Sequence, residues 1–546
     1  MRLRKLWLGN YNNLKDVEVT FDLTPSMYGS MSLRFFVGVN GSGKSNAMEA
    51  IGLIFSHLAA DASPGIDFDI EYELHDQVVR ITTRLDKVAT ARISPIDAAL
   101  LVRPLKKGEG EKQEKWKPEH VRTGWATSGD GIIPGRVVGY STGPTSSLQR
   151  ALSGSIEKIV KGALGDFEEQ QQPQGVSESE WMANREAQRD DLNRRYEAYL
   201  DNPATLFLGY DEALCAVLPL LAHEAGLGQK LGAHLARRTR LIGRINLDTA
   251  EPLLAFSLRI AGDWRRRLTP LREGRLAALL ELAKLRTLID PDPNNAGAAD
   301  QPSRDFFAVF DLDQDFRRRK LRQPEIAPTP LLFFEELLAW KRQGALREIR
   351  LIIKKKDVED LLLVSSLSDG EFLYLGRYAL LLMLRDIPEC LVLLDEPETY
   401  FNDQWKTELV KDIAGLLELG SEIPSASSHN EVIIATHSDL TLTDADPKQV
   451  YVFEYKEVAG ADGNPSKKVS VSRPAFSTFA ANRGDVPRGL YQSPASTGAY
   501  AKDAIEDALT SGDKKQIEEL LEAVGPGFHR FRLKEKLMQL DEQAGQ

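Results

Sequence analysis

The chain has 546 residues, 42% hydrophobic and 27% charged, with a formal charge of −11. That length implies two or three domains, the apolar fraction excludes a globally disordered chain, and the acidic balance argues against indiscriminate adhesion to nucleic acid. Two cysteines, Cys215 and Cys390, in no C-x-x-C pair exclude a disulfide framework, a cysteine zinc site and a zinc hook. No apolar run nears the roughly twenty residues that cross a bilayer, and MRLRKLWLGNYN lacks the apolar centre of a signal peptide. A cytoplasmic protein with no membrane contact is expected.

In chain order, LRKLWLGNYNNLKDVEVTFD alternates as an early strand pair, and LRFFV reads as a strand. GVNGSGKS (38–45) follows, then the helix-forming NAMEAIGLIF. This is G-x-x-x-x-G-K-[ST] in its strand–turn–helix context, a phosphate-binding loop. Glycines at Gly38, Gly41 and Gly43 let consecutive N–H groups and the helix N-terminus converge on phosphate oxygens. Lys44 neutralises the terminal phosphates, and the Ser45 hydroxyl reaches Mg²⁺. With Asn40, Ser42 and Asn46 these residues are the candidate nucleotide contacts.

FDIEYEL and VVRITTRL read as further strands, LKKGEGEKQEKWKPEH as a charged surface loop, and GRVVGYSTG as a buried strand with a polar end. Residues 1–150 thus look like half of an α/β domain. From there the pattern turns helical, with breaks at EEQQQPQG and PDPNNAGAADQP, so 151–344 is expected to be a helical insertion. Residues 231–356 carry 25 Lys/Arg against 16 Asp/Glu, a basic middle suited to an acidic or phosphate-lined partner. Within it DLDQD (311–315) lacks the Gly and Glu of a calcium loop and reads as an exposed acidic turn before RRRKLR.

LREIRLIIKKK and EDLLLVSSL restore strand patterns and open a second α/β half, 345–475. LSDGEFLYLGRYALLL starts a helix at Ser368, Asp369, Gly370 and Glu371, which by itself is a capping box. CLVLLDEPE and EVIIATHS are continuous apolar runs ending in polar residues, as buried parallel strands do. Asp395 at the first strand end can orient Mg²⁺, and Glu396 can polarise a water toward a γ-phosphate. Residues 476–546 end in two amphipathic helical patterns, DAIEDALTSG and KKQIEELLEAVG, a small helical appendage.

Phosphate loop, S-D-G-E, L-L-D-E-P and strand-plus-His in this order resemble the ATPase heads of the ABC superfamily, in its RecF/SMC/OLD-like branch, over roughly residues 1–150 and 345–455. The resemblance implies an α/β P-loop head with a mixed sheet that binds ATP and Mg²⁺, two heads closing around two nucleotides in a homodimer or higher oligomer. Ser368, Asp369, Gly370 and Glu371 would then face the partner's nucleotide, with Glu396 as catalytic carboxylate and His437 as switch histidine. The signature reads LSDGE rather than LSGGQ, Asn12 stands where a basic residue is common, and Tyr140, Ser141 and Thr142 are the nearest candidates for the glutamine loop. No guanine-reading N-K-x-D is present, which favours ATP. Broken by Pro/Gly segments, the interval from Ser45 to Ser368 cannot hold long coiled-coil arms, and too little chain follows His437 for a Toprim nuclease and the tail. Compact heads of this kind resemble the ATPase subunits of bacterial antiphage systems, Septu or retron-associated, which work with a separate nuclease or toxin. The alternative resemblance is to a RecF-like DNA repair ATPase whose basic middle grips DNA.

Overall fold

A hairpin opens the chain. In the computed structural model, which describes residues 1–24, 32–59, 63–74, 77–84, 99–104, 112–115, 133–141, 147–154, 205–223, 242–248, 252–289, 304–312, 320–356, 358–384, 389–417, 430–459, 465–491, 499–525 and 527–544 with four isolated positions, β1 (Arg2–Tyr11) turns through Asn12 and Asn13 into β2 (Leu14–Thr20). Asn12 has φ 50°, a left-handed conformation that asparagine tolerates. Leu3, Leu6 and Leu8 of β1 and Leu14, Val17 and Val19 of β2 are buried, so the alternation turns one face inward. The strands β4 (Phe68–Leu74), β5 (Gln77–Thr83), β6 (Ala99–Pro104) and β7 (Lys112–Lys115) extend this antiparallel sheet in the order β2-β1-β4-β5-β6-β7. Strand β7 lies inside the stretch expected to be a charged loop. Its KQEK sequence has no apolar alternation to reveal it, and charge of this kind suits a sheet edge.

The second sheet is mixed and has seven strands among the described residues. It combines β3 (Ser32–Val37), β8 (Arg136–Ser141), β9 (Thr205–Leu208), β15 (Cys390–Asp395), β16 (Glu431–Thr436), β17 (Val450–Ala459) and β18 (Pro465–Ser472) in the order β18-β17-β3-β16-β15-β8-β9. All neighbours pair in parallel except the edge pair β17–β18. Strands β3, β8 and β16 are buried at every residue, as parallel strands covered on both faces must be. Helix α1 (Lys44–Ala59) leaves the end of β3 and buries Met48, Ile51, Ile54, Phe55 and Leu58 in a core shared by the first and second sheets.

A third sheet lies largely in the interval expected to be helical. Strands β10 (Leu253–Ile260), β11 (Leu285–Leu288), β12 (Phe306–Asp311), β13 (Leu346–Ile353) and β14 (Leu362–Leu363) pair antiparallel in the order β11-β12-β10-β13-β14. Helices α2 (Tyr210–Ala222), α3 (Pro270–Glu281) and α4 (Pro330–Arg342) are there too, so the insertion is mixed rather than helical. LLAFSLRI spaces its apolar residues closely enough to fit a helix as readily as a strand, and only pairing with β12 and β13 decides. The β10–β13 pairing also crosses the boundary expected at residue 345.

Two further helices, α5 (Asp369–Leu384) and α6 (Asp403–Leu417), precede and follow β15. Residues 1–480 form one compact unit and 481–546 a second. In the second, α7 (Ala499–Ser511), α8 (Lys514–Ala523) and α9 (Phe528–Ala544) close on Ile505, Ala508, Ile517 and Leu533, and Asp513 caps α8. No helix among the described residues is long and apolar enough to cross a membrane.

Candidate functional site

Parallel pairing brings the candidate residues to one edge. Asp395 is in register with Ala435 on one side and Ser141 on the other, and Ala435 with Phe36. The segments just beyond those positions, Gly38–Ser45, Glu396 and His437, therefore leave the sheet at the same carboxyl-terminal edge, where open α/β sheets bind ligands.

The phosphate loop is held from outside its own motif. Asn13 Nδ2 donates to the Gly41 carbonyl at 2.8 Å, the Tyr455 hydroxyl donates to the same oxygen at 2.8 Å, and Asn46 Nδ2 donates to Asn13 Oδ1 at 2.7 Å. Gly43 has φ 106°, a conformation that favours glycine, and a Cβ there would lie 2.7 Å from Leu14 Cδ2 of the β1–β2 hairpin. Lys44 is buried and curls back, its Nζ donating to Gly38 O at 2.7 Å; burial pulls its ammonium pKa down, opposed by the carboxylates of Glu396, Asp395 and Glu398. The buried Ser42 hydroxyl finds no hydrogen-bond partner among the described residues. A buried donor without an acceptor, glycines with no side chain in the way, and a cation folded onto loop carbonyls form a cradle that fits phosphate.

Ser45 Oγ donates to Asp395 Oδ1 at 3.0 Å. The two residues expected to hold Mg²⁺ thus touch, and both offer oxygen ligands, which suits that ion. Burial first, and the neighbouring Glu396 charge after it, push the Asp395 carboxyl up to about 6. Glu396 adopts φ 47° while its N–H donates to Ala435 O at 2.9 Å, a strained turn held by the next strand. Its Oε2 lies 2.6 Å from His437 Nδ1, and this hydrogen bond is the main cause raising the imidazole pKa.

Three participants had no assigned role in the sequence reading. Glu398 is buried beside Glu396 and accepts a hydrogen bond from Thr436 Oγ1; burial, then the Glu396 charge, push its carboxyl up to about 7. Its only sequence signal is the second Glu of L-L-D-E-P-E. Asn13 and Tyr455 carry none, because their partners lie far along the chain. Asn12 braces no part of the loop; it lines a cavity of about 410 Å³ with Asn46, Glu49 and Arg150. Of the glutamine-loop candidates, Ser141 is buried in register with Asp395, Tyr140 accepts from the buried Arg377 of α5 at 3.2 Å, and Thr142 lies outside the described residues.

The signature is not brought to this edge by any hydrogen bond or ion pair among the described residues. Ser368 Oγ and N–H both donate to Glu371 Oε2 at 3.0 Å, Glu371 N–H donates back to Ser368 Oγ at 3.3 Å, and Lys355 binds Glu371 at 2.7 Å. The capping box is formed, and Ser368 and Asp369 remain exposed.

In the basic middle, several described arginines face carboxylates of their own chain. Arg244 pairs with Glu408 and Asp412, Arg259 with Asp305, Arg265 with Glu273, Arg267 with Asp263, and Arg272 and Arg275 with the buried Glu336. The run Arg317–Arg319 and residues 313–315 of the acidic turn lie outside the described residues.

No family model matches the chain, and no curated protein matches it. Among solved structures it is similar to the SMC head domain from Thermotoga maritima, at 12% identity over 87% of this chain and 100% of that one, with a TM-score of 0.31. A second similarity is to an Smc head bound to the C-winged helix domain of ScpA, at 12% identity over 87% and 98% and a TM-score of 0.31. A third is to an Smc head with an extended coiled coil from Pyrococcus furiosus, bound to the C-terminal domain of ScpA, at 11% identity over 86% and 96% and a TM-score of 0.29. What the chain itself displays is an α/β fold whose mixed sheet carries a phosphate-loop motif between β3 and α1.

Proposed function

We propose that the chain is an ABC-type ATP hydrolase whose active site is completed by a second copy of itself. The observation that carries this reading is the meeting of Lys44, Ser45, Asp395, Glu396 and His437 at one sheet edge, with Ser45 bonded to Asp395 and Glu396 to His437. In this reading the loop N–H groups and Lys44 bind the phosphates of ATP, and Ser45 and Asp395 hold Mg²⁺. The ion supplies neutralisation of the phosphate oxygens when bound. Glu396 takes a proton from the attacking water, and His437, hydrogen-bonded to it, fixes the direction of its carboxylate. Ser368 to Glu371 form an exposed helix start with no partner at their own chain's loop, which suits a γ-phosphate presented by the other copy.

The output is proposed to pass to a separate effector, a nuclease or toxin subunit of a bacterial antiphage system. Among the described residues, the metal-capable group found is Glu396, Glu398 and His437, already in the ATP site. The RecF-like alternative draws no support from Arg244, Arg259, Arg265 and Arg267, which face internal carboxylates.

Nucleotide binding and turnover measured on two variants test the reading. Lys44→Ala is expected to abolish ATP binding, and Glu396→Gln to keep binding while lowering turnover at least a hundredfold. A candidate effector should co-elute with the ATP-loaded Glu396→Gln protein. Undiminished hydrolysis by Glu396→Gln removes that residue from its role.

A further inference from the structure

Glu396, Glu398 and His437 each bring a ligand atom to within 4.8 Å of the others. The Glu396–His437 contact by itself explains only two of the three. Glu398 is the informative member: its Oε1 is occupied by Thr436, while its Oε2 is buried with no hydrogen-bond partner among the described residues. A buried carboxylate oxygen without a donor is costly unless a cation or proton meets it. His437, by contrast, has a side chain 57% exposed, which leaves a path from solvent to the cluster.

We propose that these three side chains form a transition-metal site, taking a cation of the Zn²⁺, Co²⁺ or Mn²⁺ class, distinct from the Ser45–Asp395 pair. The donor set argues for that class. An imidazole nitrogen with two carboxylate oxygens suits borderline first-row metals, whereas Mg²⁺ prefers oxygen throughout and keeps several waters. Metal bound here takes the place of the hydrogen bond between Glu396 and His437, and the proton of that bond leaves to solvent. Resting on the function proposed above, the consequence is inhibition: a Glu396 carboxylate bound to metal no longer accepts a proton from water. Free transition metal would thus hold the ATPase off without occupying the phosphate loop.

Co²⁺ is the probe, because its visible absorption reports inner-sphere ligands. Titrated into the nucleotide-free full chain with excess Mg²⁺ present, Co²⁺ is expected to saturate near one ion per chain and to be displaced by Zn²⁺. His437→Ala and Glu398→Gln should each weaken binding at least tenfold, with circular dichroism confirming that both variants fold. Lys44→Ala, which disables nucleotide binding, should retain the Co²⁺ signal, so failure of the ATPase reading leaves this test intact. No saturable absorption, or equal binding by the unaltered protein and both variants, overturns the site. Co²⁺ binding as expected together with hydrolysis indifferent to Zn²⁺ overturns the inhibitory role.

Discussion

Glu398 shows what one buried residue costs and what it holds in place. Its carboxyl normally titrates near 4.5 and is pushed up to about 7, by burial first and by Glu396 next. The folded chain therefore binds that proton more tightly than the unfolded chain does. The contribution of this one group to stability is greatest below pH 4.5, falls as pH rises through the interval to about 7, and is constant above it. Glu398→Gln, which keeps an acceptor for Thr436, should leave stability unchanged at pH 4 and raise it at pH 8 by on the order of 1–3 kcal/mol. Denaturant unfolding at the two pH values checks this, and an equal effect at both contradicts it. The same scale shows what the sequence discloses. Gly38–Ser45 are contiguous, so the phosphate loop reads directly, whereas Tyr455 braces Gly41 from 414 positions away and leaves no local trace.

Strands β3 and β16 were legible from their apolar runs, yet each contains a charge that such a run should not tolerate. Arg34 and Glu431 are both fully buried and meet at 2.6 Å. Arg34 Nη2 donates to Leu3 O at 2.7 Å and its guanidinium lies 4.3 Å from the Phe21 ring, while the Leu3 N–H donates to Glu431. The pair thus ties β1 of the first sheet to β3 and β16 of the second. Burial pushes the Glu431 carboxyl up even with Arg34 beside it, so the bond holds elements in place more than it adds net stability. Removing one partner leaves a buried charge alone. Glu431→Gln should cost roughly 3–5 kcal/mol, and replacing both residues with apolar ones of similar volume should restore most of it. A loss below about 1 kcal/mol in Glu431→Gln would contradict the tie. Other strands were missed, among them β12, whose apolar run FFAVFD lies in the interval expected to be helical. Strand β7 is wholly polar, and β10 declares itself only through its partners.

For the whole molecule, motif order points to the two halves of the proposed nucleotide site, but pairing across the interval between them is long-range and was not readable. The proposed active site spans two copies of the chain. Each nucleotide would be held by the phosphate loop of one chain and the Ser368 helix start of the other. Lys44→Ala disables every loop in its own homodimer, and Ser368→Arg disables every signature in its own. A heterodimer of the two keeps one site whole, the loop of the Ser368→Arg chain facing the signature of the Lys44→Ala chain. The decisive measurement is ATP hydrolysis by an equimolar mixture of these two inactive variants. Recovery of about a quarter of the unaltered rate is expected, because half the dimers are mixed and each has one working site of two; a mixture as inactive as its parts would contradict the shared site.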